Sequence, residues 1–143
     1  MTIERILVIG AGTMGRQIAM CCALGGYSTV LQDISADALD AARAELESWA
    51  AGRVAKGKLD QSTADAALGR LGQDTDLVQG ASTADLVIEA AVERLDIKEQ
   101  IFAQLGEHAP AHAILATNSS TLPSSKYSTA SSKRMRIRVE KSA

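Results

Sequence analysis

The chain has 143 residues, of which 46% are hydrophobic and 3% aromatic, and a formal net charge of −2. That length supports one domain with a real core, burying roughly 68–70% of the unfolded surface, and its longest apolar runs, ILVIG and DLVIEAAV, fall far short of the ~20 residues that cross a bilayer. Residues 1–132 carry 10 Lys and Arg against 16 Asp and Glu, whereas residues 133–143 carry 5 against 1; an acidic body with four aromatics excludes a nucleic-acid surface, which needs a basic face and stacking platforms.

The opening MTIERILVIG carries charges straight into a strand pattern, so no secretory leader is expected. Ile3–Ile9 is a short Ile/Val-rich run of the kind buried in parallel sheets. A helix is expected from Thr13 to about Gly25, with Ile18, Cys21 or Cys22, and Leu24 on one face. Adjacent helical cysteines cannot form an ordinary disulfide, so both read as small buried hydrophobes in a reducing, cytoplasmic compartment. Ser28–Gln32 reads as a second strand. Ser35 caps a long helix to about Val54, with Leu39, Ala42, Leu46, Trp49 and Ala50 on one stripe. Residues 55–72 read as a helical hairpin, with VAKGKL as its turn and Asp60 capping a short helix that ends near Gly69. A short strand is expected around Asp76–Val78 and a clear buried one at Ala84–Glu89. Leu95–Glu107 reads as an amphipathic helix with Leu95, Phe102 and Leu105 inward, and Ala113–Thr117 as a further strand. In the tail, MRIRVE alternates as an edge strand would, within a Ser-rich and basic stretch that could equally be disordered. Alternating strands and helices give an α/β fold: a Rossmann-type, doubly wound parallel sheet with a protruding helical hairpin.

RILVIGAGTMGRQIA places Gly10, Gly12 and Gly15 in a G-x-G-x-x-G spacing between a strand and a helix, and Asp33 ends the second strand. Gly10 permits a tight turn, Gly12 a close backbone approach to a pyrophosphate, and Gly15 close helix–strand packing. The helix N-terminus offers free N–H groups to phosphate. Asp33 would accept from the adenosine ribose hydroxyls and repel a 2′-phosphate, and no Arg follows it, which favours NAD over NADP; FAD is the alternative dinucleotide.

Two further strand ends open on the same crevice, in IEAAVERLDIK and ATNSSTLP. By spacing alone, Glu93 and Lys98 are an ordinary solvated pair. Taken in order, GAGTMG, LQD, ADLVIEAAVE and ATNSSTLP resemble the NAD-binding domain of the 3-hydroxyacyl-CoA dehydrogenases over residues 3–123, the bacterial 3-hydroxybutyryl-CoA dehydrogenases in particular. The resemblance implies oxidation of 3-hydroxyacyl-CoA to 3-oxoacyl-CoA in fatty acid metabolism. It places Gly10, Ala11, Gly12, Thr13, Met14 and Gly15 on the pyrophosphate, Asp33 on the ribose, and Glu93 and Lys98 on NAD. Asn118 falls beside the nicotinamide, Ser120 on the substrate's C3 oxygen, and Lys56 or Lys58 on the CoA phosphates; no metal is implied.

The same resemblance implies a catalytic histidine about twenty residues after Ser120, where Lys141 stands, then an orienting glutamate and a helical second domain. The two histidines, His108 and His112, fall on the N-terminal side of a strand, and His108 reads as a helix-end or solvated residue. The chain therefore reads as residues 1–123, an NAD-binding domain, and 124–143, a divergent tail: a truncated, catalytically incomplete member lacking the C-terminal helical domain. The alternatives are a non-catalytic NAD-binding module that self-associates, or a fragment of a 3-hydroxyisobutyrate-type dehydrogenase, against which VIEAAVE and TNSS argue.

Overall fold

The computed structural model describes residues 2–91, 94–117 and 136–139, the last four and Leu95 by their backbone alone. The strands are β1 (Arg5–Ile9), β2 (Ser28–Gln32), β3 (Leu71–Asp74), β4 (Leu86–Glu89), β5 (Ile114–Thr117) and β6 (Arg136–Val139). They form one parallel sheet in the order β3-β2-β1-β4-β5-β6. The helices are α1 (Thr13–Leu24), α2 (Ala36–Ala55), α3 (Gln61–Arg70), α4 (Leu77–Ser82) and α5 (Leu95–His108). Among the described residues no helix is long and apolar enough to cross a membrane.

Strand alternation sends successive side chains to opposite faces, and β1 fills both. Ile6 and Val8 join Ala19, Met20 and Ala23 of α1, Leu39, Ala42 and Leu46 of α2, and Ala64 and Ala67 of α3. Leu7 and Ile9 point the other way, with Val87, Leu115 and Phe102 and Leu105 of α5. This two-sided burial explains why β1 is an unbroken apolar run.

The long helix begins where expected: the Ser35 hydroxyl accepts from Ala38 N at 3.1 Å. The helical hairpin is present as α2 and α3. Gly57, at φ +70°, turns the chain between them; Gly57 N donates to Val54 O and Lys58 N to Arg53 O, both at 3.0 Å, satisfying the last carbonyls of α2.

Four local expectations are corrected. Asp76–Val78 is not a strand: the Asp76 carboxylate accepts from Val78 N and Gln79 N and caps α4, and the short strand lies earlier, at Leu71–Asp74. Asp60 stands at the α3 N-cap but makes no side-chain cap bond. Trp49 is 44% exposed: it stands at the margin of the buried stripe Leu39, Ala42, Leu46 and Ala50, and its indole lies 5.7 Å from the Arg53 guanidinium. Cys21 is exposed and Cys22 half-buried, both as free thiols, since α1 turns Ala19, Met20 and Ala23 to the sheet instead.

At the N-terminal edge of the sheet, Asp85 joins three segments. Its Oδ2 accepts from Glu4 N and Arg5 N, each at 3.0 Å, and its Oδ1 lies 2.8 Å from His112 Nε2. The His112 hydrogen bond, then the two backbone donors, lower the Asp85 carboxyl to about 2. A lowered folded-state pKa stabilises above the unfolded value of about 3.9 and is lost as pH falls through the folded value. Asp85→Asn is therefore expected to lower the thermal midpoint at pH 7, with the gap to wild type closing between about pH 4 and 2. Melting curves at several pH values check this; a gap that stays constant across that window contradicts it.

Candidate functional site

β1 delivers the chain to Gly10 between two neighbours: Gly10 N donates to Gln32 O of β2 at 2.7 Å, and Ala90 N, just past β4, donates to Ile9 O at 2.8 Å. The loop therefore opens where the strand order reverses direction about β1 and β4, the place where doubly wound sheets bind ligands. Gly10 has φ +105°, and a Cβ there would stand 2.8 Å from Ala90 O. A Cβ on Gly15 would lie 1.7 Å from Gly10 O, so the first turn of α1 rests on the loop's own backbone. The tight turn at Gly10 and the close approach of α1 at Gly15 are thus visible as contacts.

Gly12 differs from both. It is the N-cap of α1, no side chain caps the helix, and no acidic residue occupies the first turn. Nothing lies within 4 Å of where its Cβ would be. The start of α1 thus presents uncapped N–H groups and the positive end of the helix dipole beside open space. A pyrophosphate fits such a cradle. Thr13 and Met14 follow on the exposed side, and Ala11 is buried beneath.

Asp33 does structural work at the same place. Its Oδ2 accepts from Ala11 N and its Oδ1 from Ser35 N, both at 2.9 Å. One carboxylate therefore ties the glycine loop to the end of β2. Two ionised oxygens offer about four acceptor positions, so two remain for ligand hydroxyls.

A cleft of about 650 Å³ runs over the carboxyl ends of the strands. Gly10, Gly12, Asp33 and Ile34 form one wall, Ala90 and Ala91 the floor, and Thr75–Val78 with Ile97, Gln100, Ile101 and Gln104 of α5 the other side. Ile34 is 91% exposed, an apolar side chain held at the cleft's rim. The α4 and α5 residues of this wall were missed by sequence reasoning. At α4 the Asp76 cap reads equally as the start of a strand; at α5 the spacing of 97, 100, 101 and 104 marks a second face.

Beneath the floor lies a polar cluster that the sequence reading also missed. Glu89, the last residue of β4, is 0% exposed, and Lys98 and Thr117 are each 1% exposed. Glu89 Oε2 accepts from Lys98 Nζ at 3.1 Å and from Thr117 Oγ1 at 2.7 Å, and its Oε1 accepts from Ala91 N at 2.9 Å. Lys98 is therefore not the solvated residue its spacing suggested. Two signals pointed inward: Lys98 stands four and seven residues before Phe102 and Leu105 on one helical stripe, and Glu89 shares the parity of buried Val87.

Of the other expected residues, Lys56 and Lys58 are exposed in the α2–α3 turn and do not line the cleft. Glu93, Asn118 and Ser120 lie outside the described residues, as does the tail other than Arg136–Val139. His108 sits half-exposed at the C-terminal end of α5, and His112 pairs with Asp85 at the opposite edge of the sheet from the cleft. Among the described residues, no three His, Cys, Asp or Glu groups converge to hold a metal.

Comparisons with known proteins agree with this geometry. The family model for "3-hydroxyacyl-CoA dehydrogenase, NAD binding domain" matches residues 5–139, and so extends beyond Pro123. The 3-hydroxyadipyl-CoA dehydrogenase of Escherichia coli is 43% identical over 120 residues, covering 84% of this chain and 25% of that protein. A probable 3-hydroxybutyryl-CoA dehydrogenase of Deinococcus radiodurans is 40% identical over 124 residues, 87% of this chain and 44% of the relative. The crystal structure of an E. coli 3-hydroxybutyryl-CoA dehydrogenase superposes with a TM-score of 0.93 at 38% identity, covering 97% of this chain and 29% of that one. The chain thus spans between a quarter and under half the length of these relatives.

The glycine contacts separate folding from binding. Gly15→Ala forces a methyl into the Gly10 carbonyl and is expected to cost about 1–3 kcal/mol or more. Gly12→Ala meets nothing, and exchanging one N-cap residue for alanine is expected to cost less than about 1 kcal/mol. Urea denaturation of both variants checks this; equal losses would contradict the assignment.

Proposed function

Because the chain belongs to the 3-hydroxyacyl-CoA dehydrogenase family, of which it forms the NAD-binding domain, we propose that it serves the NAD-dependent oxidation of 3-hydroxyacyl-CoA to 3-oxoacyl-CoA, or the reverse. The observation that carries this reading is the uncapped start of α1 at Gly12, open to the cleft and flanked by Asp33. The Gly10–Gly15 loop holds the pyrophosphate through the uncapped N–H groups at the start of α1, those of Gly10 and Ala11 being taken by Gln32 O and Asp33 Oδ2, and the two spare acceptor positions of Asp33 take the adenosine ribose hydroxyls. Hydride acceptance is the chemistry NAD supplies when bound; the chain's part is to bind and orient it. A 2′-phosphate on the ribose beside Asp33 would meet like charge, which selects NAD over NADP.

The remaining roles rest on the resemblance. Glu93 contacts NAD, and Lys98, buried against Glu89 and outside the cleft lining, is assigned to the NAD site by the resemblance alone; Asn118 stands beside the nicotinamide, and Ser120 hydrogen-bonds the substrate's C3 oxygen, these last two being the catalytic pair. Lys56 and Lys58 meet the CoA phosphates, a role that suits two exposed cations on a hydrogen-bonded turn. Relatives named for 3-hydroxyadipyl-CoA and 3-hydroxybutyryl-CoA support an acyl-CoA as the partner. We place the protein in the cytoplasm, which suits the free thiols of Cys21 and Cys22, and infer self-association, testable by size-exclusion chromatography with and without NAD.

The central test is titration of the full chain with NAD. Asp33→Ala is expected to weaken binding about tenfold or more, the loss of a charged acceptor, and Gly12→Ala to weaken it while the fold holds. Unchanged affinity in both variants would overturn the cofactor assignment. Addition of 3-hydroxybutyryl-CoA then separates two roles: NADH formation marks a working dehydrogenase, and binding without turnover marks a dinucleotide-binding domain alone.

A further inference from the structure

The Glu89 cluster is costly to build. Taking a carboxylate and an ammonium out of water carries a penalty of several kcal/mol per ion, and apolar side chains of similar volume often serve stability as well or better. Lys98 stands in the same inward stripe as Phe102 and Leu105, where an apolar residue would pack without that penalty. A buried ion pair of this kind is weak evidence for a stabilising role, which directs attention to what it holds.

It holds three elements by one carboxylate. Through Ala91 N it fixes the chain leaving β4; through Thr117 Oγ1 it fixes the end of β5; through Lys98 Nζ it fixes the first turns of α5. Each of these borders the cleft or leads into it. Ala90 and Ala91 are its floor and Ile97, next to Lys98, is in its wall. Thr117 is the residue before Asn118 in the chain. The Ala90 carbonyl held by this arrangement stands 2.8 Å from where a Gly10 Cβ would be, so the glycine loop closes against a ledge whose next amide Glu89 sets.

We propose that Glu89 is a positioning residue for the dinucleotide: its buried carboxylate, acting through Ala91, Lys98 and Thr117, sets the spacing between the glycine loop, the cleft floor and the start of α5. The proposal rests on the cofactor reading above and deepens it. Glu89 is fully buried and does not line the cleft. Its effect on affinity comes from holding donors and walls in place before the ligand arrives, so that binding does not have to order them.

The test uses the full chain and two variants. Glu89→Gln keeps the shape but removes the charge and turns an amide NH₂ toward either the Lys98 ammonium or the Ala91 N–H, neither of which can accept a hydrogen bond. Thr117→Val removes the hydroxyl's hydrogen bond to Glu89 and leaves the ion pair. The dissociation constant for NAD is measured by calorimetry at a temperature well below each variant's melting midpoint, so that it belongs to the folded protein. Glu89→Gln is expected to weaken NAD binding about tenfold or more and Thr117→Val about threefold or more, on the scale of a lost charged hydrogen bond. A purely structural role would lower the melting midpoint and leave the folded protein's affinity at the wild-type value; that result overturns the proposal. If Glu89→Gln does not fold, Thr117→Val decides it alone, by the same criterion. Absence of NAD binding by the wild-type chain would overturn the cofactor reading and this proposal with it, whereas wild-type binding with unchanged variant affinities overturns only the latter.

Discussion

The first turn of α1 lies on the backbone of the loop that precedes it, with 1.7 Å between the Gly10 carbonyl and the place where a Gly15 side chain would begin. No other residue type fits that space. Because Gly15 lets the helix descend this far, its N-terminus arrives level with the strand ends. Because Gly10 adopts φ +105° against Ala90, the loop can turn there without striking β4. The cradle at Gly12, the reach of Asp33 to Ala11 N and the depth of the cleft all depend on this approach. Backbone in contact with backbone cannot relax as side chains do, so the position of the uncapped amides is set by the fold and not by the ligand.

Carboxylates bind the rest of this edge and its opposite. Asp33 joins the glycine loop to the end of β2, Asp76 starts α4 beside the cleft, and Glu89 joins β4, β5 and α5. On the far edge, Asp85 joins the start of β1 to the loop before β5. Strand β4 is thus bracketed by two acids with different surroundings: Asp85 is part-exposed with donors near water, whereas Glu89 is sealed under the floor. In an apolar interior a group with several hydrogen-bonding sites fixes relative position more sharply than hydrophobic contact, which is non-directional. That distinction is the reason to assign geometry to Glu89 and not stability.

Much of this was legible in the residues. Strand–glycine loop–helix–strand–Asp specified the first half of the domain to within a residue or two, because the glycines, the Ser35 cap and the Ile/Val run each encode a local requirement. The errors fell where one local signal has two readings. Asp76-Leu77-Val78 serves equally as strand or cap, and tertiary packing decided for the cap. Trp49, on the core stripe of α2 by its spacing, stands at that stripe's margin and reaches out to Arg53. Lys98, a solvated residue by its spacing from Glu93, lies on the inward stripe of α5. Charge and hydrophobicity mark the usual side of a helix, and only position around the axis decides the actual one.

By itself the sequence determined the fold class, the dinucleotide loop and the family resemblance, since these rest on short-range requirements: where a Cβ is forbidden, where a helix starts, where apolar residues repeat. The tertiary structure decided which polar groups face one another. The contacts of Glu89 with Lys98 and Thr117, of Asp33 with Ala11 and of Asp85 with His112 join residues nine to twenty-eight positions apart. No local pattern encodes such a meeting, because it exists only once strands β1, β4 and β5 lie side by side and α5 closes over them.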